Sequence, residues 1–346
     1  MLKTKMLTAP IPMRIVGPMK IVSDELNEDV SVPLATFEKP LWYTVNRGAR
    51  VSTLSGGIQA VVIHESMTRS ILVQGPSAHM THQLSQELHR RHTEIAALVT
   101  ATSQHAKLKE CHYQQVGNLL YIRLAITSGD AAGHNMVTKA ADAILSWVLQ
   151  QYSYLRYISI SANICTDKKV SAINSLFGRG KYVTAELVIP RPVCQQKLRT
   201  TPEQLVELHI KKNLLGSILA GSIQSANAHF ANMLLAIYLA TGQDAANIVE
   251  GSQGIVHAEV INENLYFSVT LPNIIVGTVG NGKNLEFVQE NLKLLGCLED
   301  KESGHNARRL AIIVACTVLC GELSLLAAQT NPGDLMRSHI KLERFT

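Results

Sequence analysis

The sequence predicts an α+β protein in two parts: a large, mostly helical domain with a long central helix, discontinuous in the chain, and a smaller domain inserted into it. Three observations predict this. Residues 71–159 alternate between strand and helix periodicities in the order β-α-β-β-α-β. Residues 211–241 are apolar and studded with Gly216, Ser217, Gly221 and Ser222, small residues that let another backbone approach closely. Outside the insert, residues 182–189 and 265–271 alternate as half-buried strands, each stopped by a proline.

Taken in order, the insert opens with the apolar run Ile71-Leu-Val73. Residues 79–100 then place Met80, Leu84, Leu88 and Ile95 at helical spacing. Two strands follow at 107–115 and 119–126, joined by the hairpin signal Gly117-Asn118. In the second, Leu120, Ile122, Leu124 and Ile126 alternate with Tyr121, Arg123 and Ala125. A helix over 135–150 carries Met136, Ala140, Ile144 and Trp147/Val148 on one stripe, and a strand at Tyr157 closes the set. This order is ferredoxin-like. The flanks, 1–70 and 160–346, then form the discontinuous larger domain. In it, Thr201-Pro202-Glu-Gln starts a helix, and 211–241 reads as the central helix or a kinked pair.

At 346 residues, with 46% hydrophobic and 17% charged residues, the chain can bury a large core and carries no signature of disorder. The formal charge of +5 comes without a basic run, which argues against a nucleic-acid partner and suits either a mixed surface or a polyanionic ligand. Six cysteines without a CxxC pair, and an N-terminus soon interrupted by prolines, predict reduced thiols and a cytoplasmic protein. Residues 310–330 approach the length of a membrane span, but Gly321, Glu322, Ser324 and Gln329 interrupt them. A helix buried in an oligomeric core is expected there. His79, His82, His89 and His92 spread over a wide arc, and His64-Glu65 lacks the second histidine of HExxH, so no metal site is expected.

The chemistry concentrates in separated segments. An alternating run at 157–161 leads into Ser161-Ala-Asn-Ile-Cys-Thr-Asp167-Lys168-Lys169, which sets an acid and two ammonium groups at the edge of a sheet. Positive charge there can hold a carboxylate or a developing oxyanion. Glu38 lies among Phe37, Pro40, Leu41 and Trp42, neighbours that can hold a carboxyl neutral. Gly242-Gln-Asp244 and Arg337-Ser-His339 add a second carboxylate and an imidazole. Asp130-Ala-Ala-Gly133-His-Asn135 sits between a strand and a helix, where free amides favour phosphate, although from the spacing alone a plain loop and helix cap is the better reading. Gly277-Thr-Val-Gly280-Asn-Gly282-Lys283-Asn284 nearly matches a P-loop but has Asn284 where Ser or Thr would hold magnesium.

These segments resemble the 3-hydroxy-3-methylglutaryl-coenzyme A (HMG-CoA) reductase family, and they occur in family order over nearly the whole chain. Ala35-Thr-Phe-Glu38, Ser128-Gly-Asp130-Ala-Ala-Gly133-His-Asn135-Met, Cys165-Thr-Asp-Lys-Lys169 and Asn227-Ala-His229-Phe-Ala-Asn232 carry the resemblance, with Gly242-Gln-Asp-Ala-Ala246, Gly277-Thr-Val-Gly280 and Arg337-Ser-His339. The resemblance implies an oxidoreductase that makes mevalonate and free coenzyme A by four-electron reduction of HMG-CoA, with two NADPH or NADH. It implies catalytic roles for Glu38, Lys168, Asp244 and His339. Ser103, Asp130, Gly133, His134, Asn135, Met136, Val279 and Gly280 would bind the dinucleotide in the inserted domain. Arg69, Ser161, Asp167, Lys169, Lys212 and Asn232 would grip the substrate's carboxylate and hydroxyl, and Asn46 and Arg47 the coenzyme A. The site would lie between the subunits of a homodimer or a dimer-based tetramer, with no membrane anchor.

The chain departs from the family pattern in places. The Glu-Asn-Val-Ile-Gly segment before the proline-rich loop is missing. Ser103 is followed by Gln104 rather than the arginine of NADP-preferring members, with Lys107 or Arg344 as substitutes if NADPH is still preferred. The chain ends seven residues after His339, without the long C-terminal flap of the second family class, and Phe345 replaces the regulatory serine of animal members. The alternative function is a non-catalytic acyl-CoA or nucleotide-binding protein on the same scaffold.

Overall fold

A computed structural model describes residues 8–343, and at 338, 339 and 341–343 the backbone alone. The chain opens with an antiparallel pair, β1 (Met13–Val22) and β2 (Asn27–Ala35), followed by α1 (Pro40–Leu54). The long strand β3 (Ile58–Gln74) leads to α2 (Ala78–Arg90), α3 (His92–Thr102), β4 (Leu108–Val116), β5 (Leu119–Ile126), α4 (His134–Gln151) and β6 (Arg156–Ser159). Next come α5 (Ala172–Phe177), β7 (Gly180–Ile189), the single turn α6 (Arg191–Val193), α7 (Pro202–Leu208) and the short α8 (Gly216–Leu219). The chain continues through α9 (Phe230–Ala240), the turn α10 (Ile248–Gly251), β8 (Ile255–Ile261) and β9 (Asn264–Ile274). It finishes with α11 (Glu286–Leu294), α12 (His305–Gln329) and α13 (Asp334–Glu343).

β3 joins two sheets. Its first half pairs with β7 from Gln59 to Ser66, within the path β2-β1-β3-β7-β9-β8. Its second half pairs with β5 from Met67 to Gln74, and also with β6, so that β4, β5, β3 and β6 lie side by side and antiparallel. The apolar core divides in the same way. One cluster gathers Met19, Ile58, Val183, Phe267 and α12, and another gathers Met67, Leu84, Leu120, Ile144 and Val148.

Two expectations need correction. The larger part is not mostly helical; it is mixed α/β around a large sheet. The missed strands β1 and β2 contain Gly17-Pro18 and Pro33, which break the alternation, and a register shift between Val16 and Met19 absorbs the first interruption. Of the two readings of 211–241, a central helix or a kinked pair, the single long helix does not hold. A π-helical turn (His209–Leu215) and α8 end at Gly221, which adopts φ +72°, and an irregular segment precedes α9. Asn227 fixes that segment by donating to the carbonyls of Ser252 and Gly254.

The central helix is α12. It is buried on nearly every face from Arg309 to Ser324. By length and composition it could cross a membrane, but 94% of its most apolar window is buried inside the fold. Full burial of each aliphatic side chain contributes about 1.5–3 kcal/mol, which is why so apolar a helix sits at the centre. α1 crosses it closely at Gly48, where an added Cβ would lie 2.2 Å from the Cys320 carbonyl oxygen.

Candidate active site

The segment after β6 is a tight loop in which Asn163, Thr166 and Lys168 all have positive φ. Left-handed backbone costs about 1–2 kcal/mol per non-glycine residue, so such a loop persists only where its surroundings hold it. Here the Cys165 amide donates to Ser70 Oγ at 3.1 Å, Asn174 Nδ2 to the Thr166 carbonyl at 3.1 Å, and the Lys168 amide to Glu250 Oε1 at 3.1 Å. This loop aims Lys168 at Asp244, with Nζ to Oδ2 at 2.8 Å. Asp244 follows α9 after a glycine turn, and its other oxygen accepts from the Ala246 amide at 3.1 Å. It therefore caps the next turn favourably instead of opposing the dipole of α9. The hydrogen bond with Asp244 raises the Lys168 pKa, while burial would raise that of Asp244 but bonds from Lys168 and Ala246 bring it below the ordinary carboxylate value.

Behind this pair lies a buried ion network. Arg179, fully buried, reaches Asp167 Oδ1 at 2.9 Å and Glu250 Oε1 at 2.8 Å. Arg69 approaches Asp167 at 3.8 Å and donates to Thr138 Oγ1 at 3.1 Å and Ser161 Oγ at 3.4 Å. His134 Nε2 lies 3.8 Å from Asp167 Oδ1, and burial together with Arg179 lowers its pKa. Lys169 is exposed and turns back on the Asp167 carbonyl at 3.1 Å.

Arg69, Asp167, Lys168, Asp244 and His134–Met136 share a cavity of about 520 Å³ with Val279, Gly280 and Lys283. Two loops meet there: Ala131 forms a parallel bridge with Val279, and a Cβ on Gly277 would sit 2.3 Å from the Ala132 amide. Gly133, with φ +99°, starts α4 and admits no Cβ against Met67 and Ser128. His134 Nε2 is buried without a hydrogen-bond partner among the described residues, an atom that a ligand can satisfy. Asp130 does not line this cavity. Its carboxylate accepts from the Gly304 and Ala307 amides at 2.9 and 3.0 Å and so caps α12. Ser103 ends α3 beside a neighbouring cavity of about 410 Å³ lined by Gln104, His105 and Lys107.

Glu38 lies elsewhere. It precedes α1 and accepts from Asn232 Nδ2 at 2.9 Å. With Tyr43, Arg47, His229, Asn232 and Gln329 it lines a cavity of about 300 Å³ that shares no lining residue with the first. Phe37 is 75% exposed and does not supply the shielding expected of it. Arg47 donates to the carbonyls of Lys197 and Leu198, and Asn46 Oδ1 accepts from the Gly17 amide at 3.3 Å. Lys212 donates to Asn213 at 3.1 Å, and burial lowers its pKa. His339 lies on α13, but its side chain is outside the described residues, as are Arg344 and Phe345.

Sequence reasoning missed a second buried group near Glu38. Glu322, on α12, accepts from the amides of Ala228 and His229, and burial raises its pKa to about 7. His229 Nε2 stands 3.9 Å from it and 3.1 Å from the Gly321 carbonyl, and burial lowers the imidazole to about 4. Arg179 and Glu250 were missed as well. Glu322 had shown itself only as a charge interrupting an apolar run, whereas Arg179 and Glu250 carry no local signal.

The chain matches known proteins along nearly its whole length. A family model described as hydroxymethylglutaryl-coenzyme A reductase matches residues 6–344. A 3-hydroxy-3-methylglutaryl-coenzyme A reductase of Aeropyrum pernix is 45% identical over 336 residues, covering 96% of this chain and 79% of its own length. That of Pyrococcus abyssi is 41% identical over 337 residues, covering 96% and 82%. The fold is similar to a structure described as the class II 3-hydroxy-3-methylglutaryl-CoA reductase from Streptococcus pneumoniae bound to NADPH in open conformations, with a TM-score of 0.76 at 18% identity, over 95% of this chain and 87% of that one. Glu38, Lys168 and Asp244 thus stand in a chain that belongs to the hydroxymethylglutaryl-coenzyme A reductase family.

Proposed function

We infer that this chain is an oxidoreductase that reduces HMG-CoA to mevalonate and free coenzyme A. The observation that carries the inference is the Lys168–Asp244 pair at 2.8 Å, set in the cavity that His134–Met136 and Val279–Gly280 also line. Two reduced nicotinamide dinucleotides, bound in succession, would each supply one hydride. The unsatisfied His134 Nε2 and the glycine-lined approach at Gly133, Gly277 and Gly280 suit such a ligand. Asn135, Met136, Val279 and Ser103 would complete its cradle, with Asp130 acting through the α12 cap.

Lys168 would neutralise the oxyanion that forms when the thioester carbonyl carbon accepts the first hydride, an effect worth about 10²–10³ in rate. Collapse breaks the C–S bond, and His339 would give the departing thiolate its proton. After the second hydride reaches the aldehyde carbon, Glu38 would protonate the alkoxide, a contribution of roughly 10²–10⁴. Two hydrides and two protons then balance the conversion to mevalonate and thiol. Asp244 would hold Lys168 in place and tune its charge. Arg69, Ser161, Asp167, Lys169, Lys212 and Asn232 would grip the carboxylate and hydroxyl, and Asn46 and Arg47 the coenzyme A.

Glu38 and Lys168 line separate cavities, so the complete site would join one cavity to the other across a homodimer or dimer-based tetramer. The exposed apolar residues Leu215, Ile218, Leu219 and Ile223 support a subunit contact. Residues 71–159 would be a ferredoxin-like cofactor domain, a reading supported by the antiparallel order β4-β5-β3-β6 and its separate core. The flanks, 1–70 and 160–346, would bind substrate and dimerise. A cytoplasmic location fits the burial of α12 within the fold.

The test is to follow oxidation of NADPH and NADH by the purified protein with HMG-CoA. Two cofactors oxidised per thiol released are expected, and the ratio of kcat/KM values measures what Gln104 does to the preference. A folded oligomer that binds the thioester but oxidises neither cofactor would overturn the assignment in favour of a binding protein.

A further inference from the structure

Lys283 ends the glycine turn beside the larger cavity and has no part in the chemistry above. It is 5% exposed. Its ammonium donates to the Gly242 carbonyl at 2.5 Å and meets no other partner among the described residues, a carboxylate least of all. Burial with no compensating charge lowers its pKa to about 8. An ammonium has three donors, so two remain. A buried cation with spare donors is costly unless an anion pairs with it, and this one borders a cavity lined by Lys168, His134 and Asn135.

The neighbouring backbone is open to such an anion. Gly280 and Gly282 adopt φ +100° and +82°, and the Lys283 amide closes their turn on the Gly280 carbonyl at 3.2 Å. The same turn touches the one that carries Asp244, since a Cβ on Gly242 would lie 2.5 Å from the Gly282 carbonyl oxygen. Lys283 therefore ties together the two turns that flank the expected dinucleotide.

We propose that Lys283 is a phosphate-binding residue of this cleft, meeting a phosphate of the nicotinamide dinucleotide with its free donors while its bond to Gly242 holds the Asp244 turn. The proposal rests on the dinucleotide-dependent reading above and deepens it. The near match to a P-loop then has a physical basis: a glycine turn followed by a lysine that meets phosphate, without the magnesium-binding hydroxyl.

The experiment is direct titration of the wild-type oligomer, Lys283→Gln and Lys283→Arg with NADPH, NADH and HMG-CoA, by calorimetry in the absence of turnover. Loss of charge-assisted hydrogen bonds should weaken dinucleotide binding by roughly 10- to 100-fold in Lys283→Gln. HMG-CoA affinity should be unchanged, and Lys283→Arg should bind dinucleotide nearly as the wild type does. Equal losses for NADPH and NADH assign the pyrophosphate, and a loss confined to NADPH assigns the 2′-phosphate; either supports the proposal. Unchanged dinucleotide affinity in Lys283→Gln, a loss confined to HMG-CoA, or a Lys283→Arg protein as weak as Lys283→Gln would overturn it. Because binding is read without catalysis, Lys283-dependent binding in a protein that cannot reduce HMG-CoA would sink the reductase reading alone.

Discussion

Lys168 combines a left-handed backbone, an amide bonded to Glu250 and an ammonium bonded to Asp244. Its backbone is thus held by the buried Glu250, although its side chain is 43% exposed and that of Asp244 47%. Pairs as exposed as this one contribute about 0–1 kcal/mol to stability, so the proposed role of Lys168 in the chemistry can be tested apart from folding. Lys168→Ala should lower kcat by about 10²–10³ and leave the urea midpoint nearly unchanged. A variant with full turnover would remove Lys168 from the mechanism. The residue was legible in the sequence because the Asp-Lys-Lys loop is a contiguous motif. Arg179 and Glu250, which hold that loop, were not, because a buried ion pair joins residues far apart in the chain without a periodic pattern.

At the scale of elements, α12 meets α1 and the start of α9, and each contact has a measurable consequence. Gly48→Ala would drive a Cβ into the Cys320 carbonyl, so α1 must move away from α12. Overpacking of this kind costs about 1–3 kcal/mol, and since α1 carries Arg47 and follows Glu38, activity should fall along with the urea midpoint. The contact with α9 is electrostatic. Glu322 is raised to about 7, so between pH 4.5 and 7 the folded state holds a proton that the unfolded state has lost, and stability falls as pH rises. His229 is lowered to about 4, so between pH 4 and 6.5 the unfolded state binds the extra proton and stability rises with pH. The two slopes oppose each other from about pH 4.5 to 6.5. Glu322→Gln should unmask a rise in stability across that window and His229→Gln a fall, as measured by urea unfolding at each pH. Parallel profiles in both variants would contradict the opposed titrations. None of this was readable in residues 211–241, where an apolar average hid the polar break at Asn227–His229. β1 and β2 were hidden for a related reason: proline and glycine interrupt their alternation while the sheet tolerates both at a bulge or an edge.

At the scale of the molecule, Glu38 and Lys168 line separate cavities, so the proposed mechanism requires an assembly that brings them together. Within residues 71–159, β5 and α4 were legible because their apolar positions recur at a strand and a helix period, whereas the structure divides the helical run at 79–100 into α2 and α3. The large sheet was not, since β3 passes without interruption from one core to the other and no composition break marks the crossing. If each complete site takes Glu38 from one subunit and Lys168 from its partner, neither a Glu38→Gln nor a Lys168→Ala homodimer contains an intact site. A heterodimer of the two contains one intact site and one doubly altered site. Random pairing of equal amounts makes about half the dimers mixed, so co-expression should restore about a quarter of wild-type activity. Mixing the two purified variants without subunit exchange should restore none. If both residues of a site came from the same subunit, every site in the mixed population would lack one of them, and co-expression would add nothing to the residual rates. Active-site titration of the co-expressed protein would therefore distinguish a site shared between chains from one closed within a chain.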